Sequence, residues 1–274
     1  MAGCNGNCES CHSNCSAKEN GSLIVPTGEF NDIGHIVAVV SGKGGVGKSM
    51  VTSMLAVEMS RRGYKVGILD ADITGPSIPK AFGVVDRAMQ NELGILPAET
   101  KTGIKIMSVN MMLEKSDAPV VWRGPVIAGL VKQFWQEVVW GELDYLFVDC
   151  PPGTGDVPLT VFQIMPLDGA VVVTSPQDLV SLIVKKALNM AELMNIPVLG
   201  LVENMSYVKC PDCGKEFSVF GKGSDDISAE TGVPVIAKMP IDVELAKQVD
   251  MGVIELFEGD YLSSAADKVE ELKR

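Results

Sequence analysis

The sequence predicts an α/β fold in which a mostly parallel sheet is covered by helices on both faces. Three observations lead there. Short runs rich in Val and Ile alternate with longer stretches of helical periodicity. A glycine-rich phosphate-binding motif stands where the first such run meets the first helix. Hydrophobic residues make up 46% of the 274 residues, enough for one sizeable core with short additions.

The expected strands are Ile36–Val40, Val66–Leu69, Tyr145–Val148, Ala170–Thr174, Val198–Val202 and Val235–Ala237, each short and bounded by Gly, Pro or Asp. The expected helices fall at about Ser49–Arg62, Val126–Val139, Leu179–Met194, Asp242–Val249 and Tyr261–Leu272. Strand–helix alternation implies parallel pairing with both sheet faces covered. No internal repeat is visible. Residues 1–34 are rich in Asn, Ser, Gly and Cys and carry few large apolar side chains, so they read as a cysteine-rich metal-binding tail that does not order itself without a ligand. Residues 35–274 then form one α/β domain with an embedded C-x2-C motif.

Composition narrows the function. No apolar run approaches the roughly 18 residues of a membrane span, and residues 1–20 lack the apolar stretch of a secretory signal, so a cytoplasmic protein without a membrane partner is expected. Seven cysteines in a reducing compartment argue for metal or redox use. The net charge of -12 disfavours an extended nucleic-acid contact.

The strongest motif is Gly42-Lys43-Gly44-Gly45-Val46-Gly47-Lys48-Ser49, which fits G-x-x-x-x-G-K-[ST]. Its glycines let backbone N–H groups curl around phosphate oxygens, and the helix start adds the positive end of its dipole. Lys48 is expected to reach the β- and γ-phosphates of ATP, and Ser49 to ligate Mg2+. The second lysine, Lys43, either reaches a phosphate across a dimer interface or is a solvated loop residue. Asp149 ends one strand and precedes Cys150-Pro151-Pro152-Gly153-Thr154-Gly155-Asp156. A carboxylate there is placed to hold Mg2+ through water, and the glycine-rich run after it can move with the γ-phosphate. Asp70 and Asp72 end another strand and could supply the metal shell and position the attacking water. Helix capping and turn formation are the alternatives for each aspartate alone.

Two cysteine groups remain. Cys210-Pro211-Asp212-Cys213-Gly214 has the form of a metal knuckle, but two thiolates are too few for a tetrahedral zinc or a four-iron cluster. A symmetric homodimer supplying two thiolates from each subunit meets the need. Structural zinc, iron–sulfur and a redox dithiol all remain open on the chemistry. Cys4, Cys8, Cys11 and Cys15, spaced C-x3-C-x2-C-x3-C, can wrap a four-iron cluster or zinc; the first three also fit a radical-SAM triplet, a poor reading ahead of a P-loop fold. Cys150 reads as a buried small hydrophobe, His12 as a solvated polar residue, and most of the Met residues as core filler.

The set as a whole resembles a known family. Ser41 to Ser49 resembles the deviant Walker A loop of the MinD/nitrogenase-iron-protein class. Asp70-Ala71-Asp72-Ile73-Thr74-Gly75-Pro76-Ser77 looks like switch I of its Mrp/ApbC branch, and Asp149 to Asp156 is similar to its switch II. Glu203-Asn204-Met205-Ser206 and the Cys210/Cys213 pair complete the pattern, in order from about residue 35 to 240. The resemblance implies a slow ATPase coupled to cluster loading or transfer. Lys43 would act across the dimer, Asp72 would orient the hydrolytic water, and Asn204 would hydrogen-bond adenine. A [4Fe-4S] cluster would bridge the two Cys210/Cys213 pairs, with a second in the tail, where the four-cysteine extension resembles that of eukaryotic-type cluster scaffold relatives. Partners would be apo iron–sulfur client proteins and a cluster-donating scaffold. Two rivals share the loop: a MinD/ParA-like positioning ATPase with structural zinc at the cysteine pair, and a nitrogenase-like ATP-coupled electron donor. The first needs a basic DNA-binding surface or a basic C-terminal helix, and Gly259–Arg274 is not basic. A redox assay separates the second.

Overall fold

The computed structural model describes residues 23–72, 77–85, 87–112, 124–176, 180–220 and 225–272. In chain order the elements are β1 (Asp32–Ser41), α1 (Lys48–Arg61), β2 (Val66–Asp70), α2 (Ser77–Ala81), β3 (Met89–Asn91), β4 (Gly94–Leu96), β5 (Ala98–Glu99) and β6 (Lys105–Ser108). There follow α3 (Gly124–Glu137), β7 (Glu142–Asp149), α4 (Asp156–Ile164), β8 (Gly169–Thr174), α5 (Val180–Leu193), β9 (Val198–Lys209) and β10 (Glu216–Phe217). The chain ends with α6 (Asp225–Thr231), β11 (Val235–Pro240), α7 (Val243–Asp250) and α8 (Ser263–Glu270).

Among the described residues nine strands form one sheet in the order β10-β9-β8-β1-β7-β2-β6-β5, with β11 also on β9. The pairs from β9 across to β6, and β9 with β11, are parallel; β10 and β5 add antiparallel edges. Val37, Val39, Ile68 and Phe147 pack on one face against α1 and α8, and Ala38, Val40, Leu146 and Val148 pack on the other against α3, α4 and α5. This double cover explains why the central strands read as unbroken apolar runs rather than alternating ones. Strand order reverses at β1, whose neighbours are β7 and β8, and the carboxyl end of such a strand is where doubly wound folds bind ligands.

All six expected strands and five expected helices are present, with ends shifted by a few residues except in one strand. That strand, expected over Val198–Val202, continues to Lys209. Its polar residues Glu203 and Asn204 are buried because β8 and β11 flank Glu203 and a loop covers Asn204. The elements between residues 77 and 108 went unread because they are two to five residues long, too short for either period to show. Helix α4 went unread because it starts inside the glycine-rich motif.

The expected tail boundary at residue 34 needs correction. Val25, Thr27 and Asn31 tie the segment before β1 to the domain, and β1 starts at Asp32. Val25 N–H donates to the Ile164 carbonyl (2.8 Å), and Trp135 Nε1–H donates to the Val25 carbonyl (2.7 Å). The Thr27 hydroxyl donates to the Trp135 carbonyl (3.0 Å). Asn31 Oδ1 accepts from Trp140 and Gly141 N–H (2.7 and 3.1 Å), and Asn31 Nδ2 donates to the Val138 carbonyl (2.9 Å). The segment holds itself by satisfying helix-end backbone groups, a source of order that a count of apolar residues does not register. Cys4, Cys8, Cys11 and Cys15 lie outside the described residues, as do Ile73–Pro76 of the expected switch I.

Candidate functional site

The phosphate loop joins β1 to α1 at the carboxyl edge of the sheet. Gly45 and Gly47 have φ of 80° and 79°, a left-handed conformation that side chains disfavour. Gly47 has a second constraint, because a Cβ there would collide with the side-chain amide of Asn204. The loop lines an open cleft shared with Lys48, Ser49, Asp72, Ser77 and Pro152. The structure thus gathers every residue expected around the nucleotide: the Gly42–Ser49 loop, Asp70, Asp72, Asp149 and Asn204.

Asp149, fully buried at the end of β7, organises the centre. Lys48 Nζ lies 2.7 Å from its Oδ1, Ser49 Oγ donates to Oδ2 (2.6 Å), and Thr52 Oγ1 donates to Oδ1 (2.7 Å). Thr52 was not singled out in the sequence, although it follows Lys48 by one helical turn and so shares its face. Lys48 Nζ is also 3.8 Å from Asp72 Oδ2. Burial pulls the Lys48 ammonium down, but the Asp149 charge and hydrogen bond outweigh it and the net shift is upward. The group therefore stays cationic, as a phosphate-binding lysine must. Lys43 stands exposed at the mouth of the cleft.

Asp70 is fully buried on the neighbouring strand, in register with Asp149 on one side and Ser108 on the other. Its Oδ2 accepts from Ser108 Oγ (2.8 Å) and its Oδ1 from Asp72 N–H (3.1 Å). Burial first, and the Asp149 charge second, push its carboxyl well above the usual range. Ser108 gave no signal in the sequence, since β6 is too short to read there.

Asn204 reaches the loop from β9. Its Nδ2 donates to the Val46 carbonyl (3.0 Å), and its Oδ1 accepts from Met205 N–H (2.9 Å). Met205 has φ of 58°, and β9 carries extra residues here relative to β11. The same strand runs on to Lys209 and opens into the cysteine hairpin, where β10 returns antiparallel. Cys210 N–H donates to the Lys215 carbonyl, and Gly214 N–H to the Cys210 carbonyl, closing the turn. Backbone N–H groups of Cys213 and Asp212, with the Cys213 thiol, hydrogen-bond the Cys210 sulfur and hold its thiol below the usual range. Such donors suit a thiolate ligand. Cys213 is exposed, and among the described residues no third His, Cys, Asp or Glu joins the pair in a metal-sized group. The pair lies outside the phosphate loop: five residues, Met205 to Lys209, separate Asn204 from Cys210, at most about 20 Å of strand.

Cys150 behaves differently. Burial pushes its thiol up to about 12, so at pH 8 only roughly one molecule in ten thousand carries the reactive thiolate there. Iodoacetamide at pH 8 should therefore modify Cys210 and Cys213 in the native apoprotein and leave Cys150 intact until denaturant is added. Peptide mapping by mass spectrometry checks this, and native labelling of Cys150 would contradict its assignment to the core.

Comparison with known proteins agrees with the geometry. The family model described as "NUBPL iron-transfer P-loop NTPase", of the ParA group, matches residues 32–273. The iron-sulfur cluster carrier protein of Clostridium perfringens is 45% identical over 267 residues, covering 91% of this chain and 94% of that protein. Its namesake in Methanocaldococcus jannaschii is 44% identical over 261 residues, covering 92% and 90%. Among solved structures, the nucleotide-binding protein of Archaeoglobus fulgidus in complex with ADP superposes with a TM-score of 0.76 at 44% identity, over 88% of this chain and 93% of that one. The cell division ATPase MinD of Pyrococcus furiosus, at 20% identity and a TM-score of 0.65 over 88% of this chain and all of that one, shares the fold. With the phosphate loop, the aspartate row and the cysteine hairpin in place, these matches show that the chain belongs to the iron-transfer P-loop NTPase family, to which the iron–sulfur cluster carrier proteins are its relatives.

Proposed function

We propose that this protein is an ATP-dependent iron–sulfur cluster carrier: a cytoplasmic homodimer that binds Mg-ATP, holds a [4Fe-4S] cluster as cargo and hands it to apoproteins. The observation that carries this reading is strand β9, which touches the phosphate loop through Asn204 and ends in the Cys210–Cys213 hairpin. One strand thus serves both the nucleotide and the metal cargo. The pair supplies two thiolates, a four-iron cluster takes about four, and a second subunit supplies the rest. The similarity to iron–sulfur cluster carrier proteins favours a shared cluster over a redox dithiol.

At the nucleotide site, Lys48 would serve the phosphates, and Ser49, Asp149 and Asp70 would hold Mg2+, which would offset the charge of the transferring phosphoryl group. Asp72 orients the attacking water, Lys43 offsets charge across the dimer, and Asn204 turns its amide from Val46 to adenine. The four tail cysteines hold a second cluster received from a scaffold. No helix among the described residues is long and apolar enough to cross a membrane.

The test is transfer. Protein reconstituted anaerobically with iron and sulfide, and assayed for bound zinc, is mixed with an apo iron–sulfur enzyme with and without Mg-ATP. Restored client activity supports the carrier reading; zinc in place of iron, with no activation, refutes it. Removing residues 1–22 should take away one cluster per subunit and leave a folded ATPase domain, because the domain's packing begins at residues 23–25. A truncated protein that aggregates, or that keeps its full iron content, contradicts the assignment of separate metal sites.

A further inference from the structure

We propose that Ser108 is a positioning residue for ATP hydrolysis, holding Asp70 so that Asp70 in turn fixes the backbone that presents Asp72. The inference rests on the ATPase reading of the cleft and adds to it a residue outside the phosphate loop and both switch motifs.

The geometry is a row across three neighbouring strands. Ser108 on β6, Asp70 on β2 and Asp149 on β7 are register partners at the carboxyl edge of the sheet. All three are fully buried. Asp149 receives the donors of the α1 start, namely Lys48, Ser49 and Thr52. Asp70 receives a different pair: the Ser108 hydroxyl on Oδ2 and Asp72 N–H on Oδ1. Its carboxyl group is therefore a bridge, with one oxygen tied to the next strand and the other to the first turn of switch I. A carboxyl held at one oxygen is restrained in rotation, so its other oxygen is kept in place as the acceptor for the Asp72 amide. That amide sets where the Asp72 side chain leaves the backbone, and Asp72 Oδ2 points to within 3.8 Å of Lys48 Nζ. Ser108 Oγ also lies 3.3 Å from Asn110 N–H, which donates to it and orients the hydroxyl proton toward Asp70.

Without the hydroxyl, Asp70 Oδ2 loses a donor inside the protein and its carboxyl is free to turn toward other donors. The Asp72 turn then loses its fixed acceptor. Misplacement of a water-orienting group by about 1 Å can cost 10- to 100-fold in turnover. Ground-state nucleotide binding is carried by the loop backbone and Lys48, whereas the Ser108 hydroxyl bonds Asp70.

The experiment is a double-mutant cycle on the full-length protein, with phosphate release followed over a range of Mg-ATP concentrations. Ser108→Ala should lower kcat by about 10- to 100-fold and leave KM within about threefold. Ser108→Thr, which keeps the hydroxyl, should retain most of the turnover. In an Asp72→Ala background, already slow, the Ser108→Ala change should cost less than about threefold, because the group it positions is gone. A general loss of structure would instead move KM with kcat and would cost as much in either background. Wild-type turnover in Ser108→Ala, a folded Ser108→Thr protein as slow as the alanine variant, or an undiminished loss in the Asp72→Ala background each overturns the proposal. Absence of any ATP hydrolysis by the unaltered protein would overturn the ATPase reading itself, which sets the two failures apart.

Discussion

Replacing Lys48 with alanine should lower ATP hydrolysis by at least about 100-fold, the scale seen when a preorganised charge aimed at a transferring phosphoryl group is removed. The ammonium is the cation at the centre of the cleft, 2.7 Å from Asp149 and 3.8 Å from Asp72. In the proposed cycle it would turn from these carboxylates to the β- and γ-phosphates of bound ATP. Its removal also has a structural cost in the nucleotide-free state. Asp149 is fully buried and loses its counter-ion, and a broken buried pair costs about 3–5 kcal/mol. Ser49 and Thr52 still donate to Asp149, so the lower end of that range applies. Denaturant titration of the variant measures this term, and turnover is then compared between folded samples. Asp72→Ala supplies the contrast. It keeps the Lys48–Asp149 pair, so it should bind ATP and hydrolyse it poorly. A Lys48→Ala protein that turns over ATP at the unaltered rate would falsify the site assignment.

What was legible in the sequence divides along physical lines. The phosphate loop could be read because its chemistry is local: glycines at fixed positions, a lysine and a serine, a strand before and a helix after. The central strands could be read because burial on both faces leaves unbroken Val and Ile runs, such as Val37–Val40 and Val171–Val173. Asp149, Asp70 and Asp72 could be placed because carboxylates at the ends of parallel strands face a common edge. Ser108 could not, since its role comes from register with Asp70 across two strands and leaves no periodic trace. The same holds for residues 23–31, where Asn31 and Thr27 earn their order by closing backbone groups of residues more than a hundred positions away. The length of β9 was missed for a related reason. Glu203 and Asn204 look like the end of a strand in a one-dimensional reading, yet Ser206 Oγ donates to Glu203 (2.5 Å) and the Val46 carbonyl accepts from Asn204, so both polar side chains sit buried inside it. That continuation matters most for function, because it carries the chain from the loop to the cysteine hairpin.

Replacing Cys210 and Cys213 together with alanine should remove the shared cluster, weaken the dimer and stop cluster transfer, while each subunit still binds ATP. The argument starts from ligand count. Among the described residues no third His, Cys, Asp or Glu is close enough to join the pair in a metal-sized group. A four-iron cluster held there needs thiolates from a second copy, so cargo and dimer stand or fall together. The hairpin is exposed, which suits a site that must release its cargo to another protein. Nucleotide binding survives because the loop meets β9 at Asn204, within the strand, while the cysteines follow its last residue, Lys209, and the loop's donors, Lys48 and the glycine backbone, are untouched. Coupling between the two sites then has a strict requirement. A ligand shifts an equilibrium only by its difference in affinity for the two states, so the nucleotide states must hold cluster or client with different strength. The Asn204 amide, bonded to the Val46 carbonyl of the loop and proposed to turn to adenine, is the contact through which β9 would register that difference. Three measurements check the prediction on a background lacking residues 1–22, so that the tail cysteines cannot substitute: iron per dimer, mass in solution, and activation of an apo iron–sulfur enzyme. The expected result is loss of all three with ATP affinity within about threefold of the parent, since none of the residues that bind the nucleotide has changed. Should the double variant still activate the client enzyme on that background, the Cys210–Cys213 pair is not the carrier site and the thiolates that hold the cargo must be sought elsewhere in the chain.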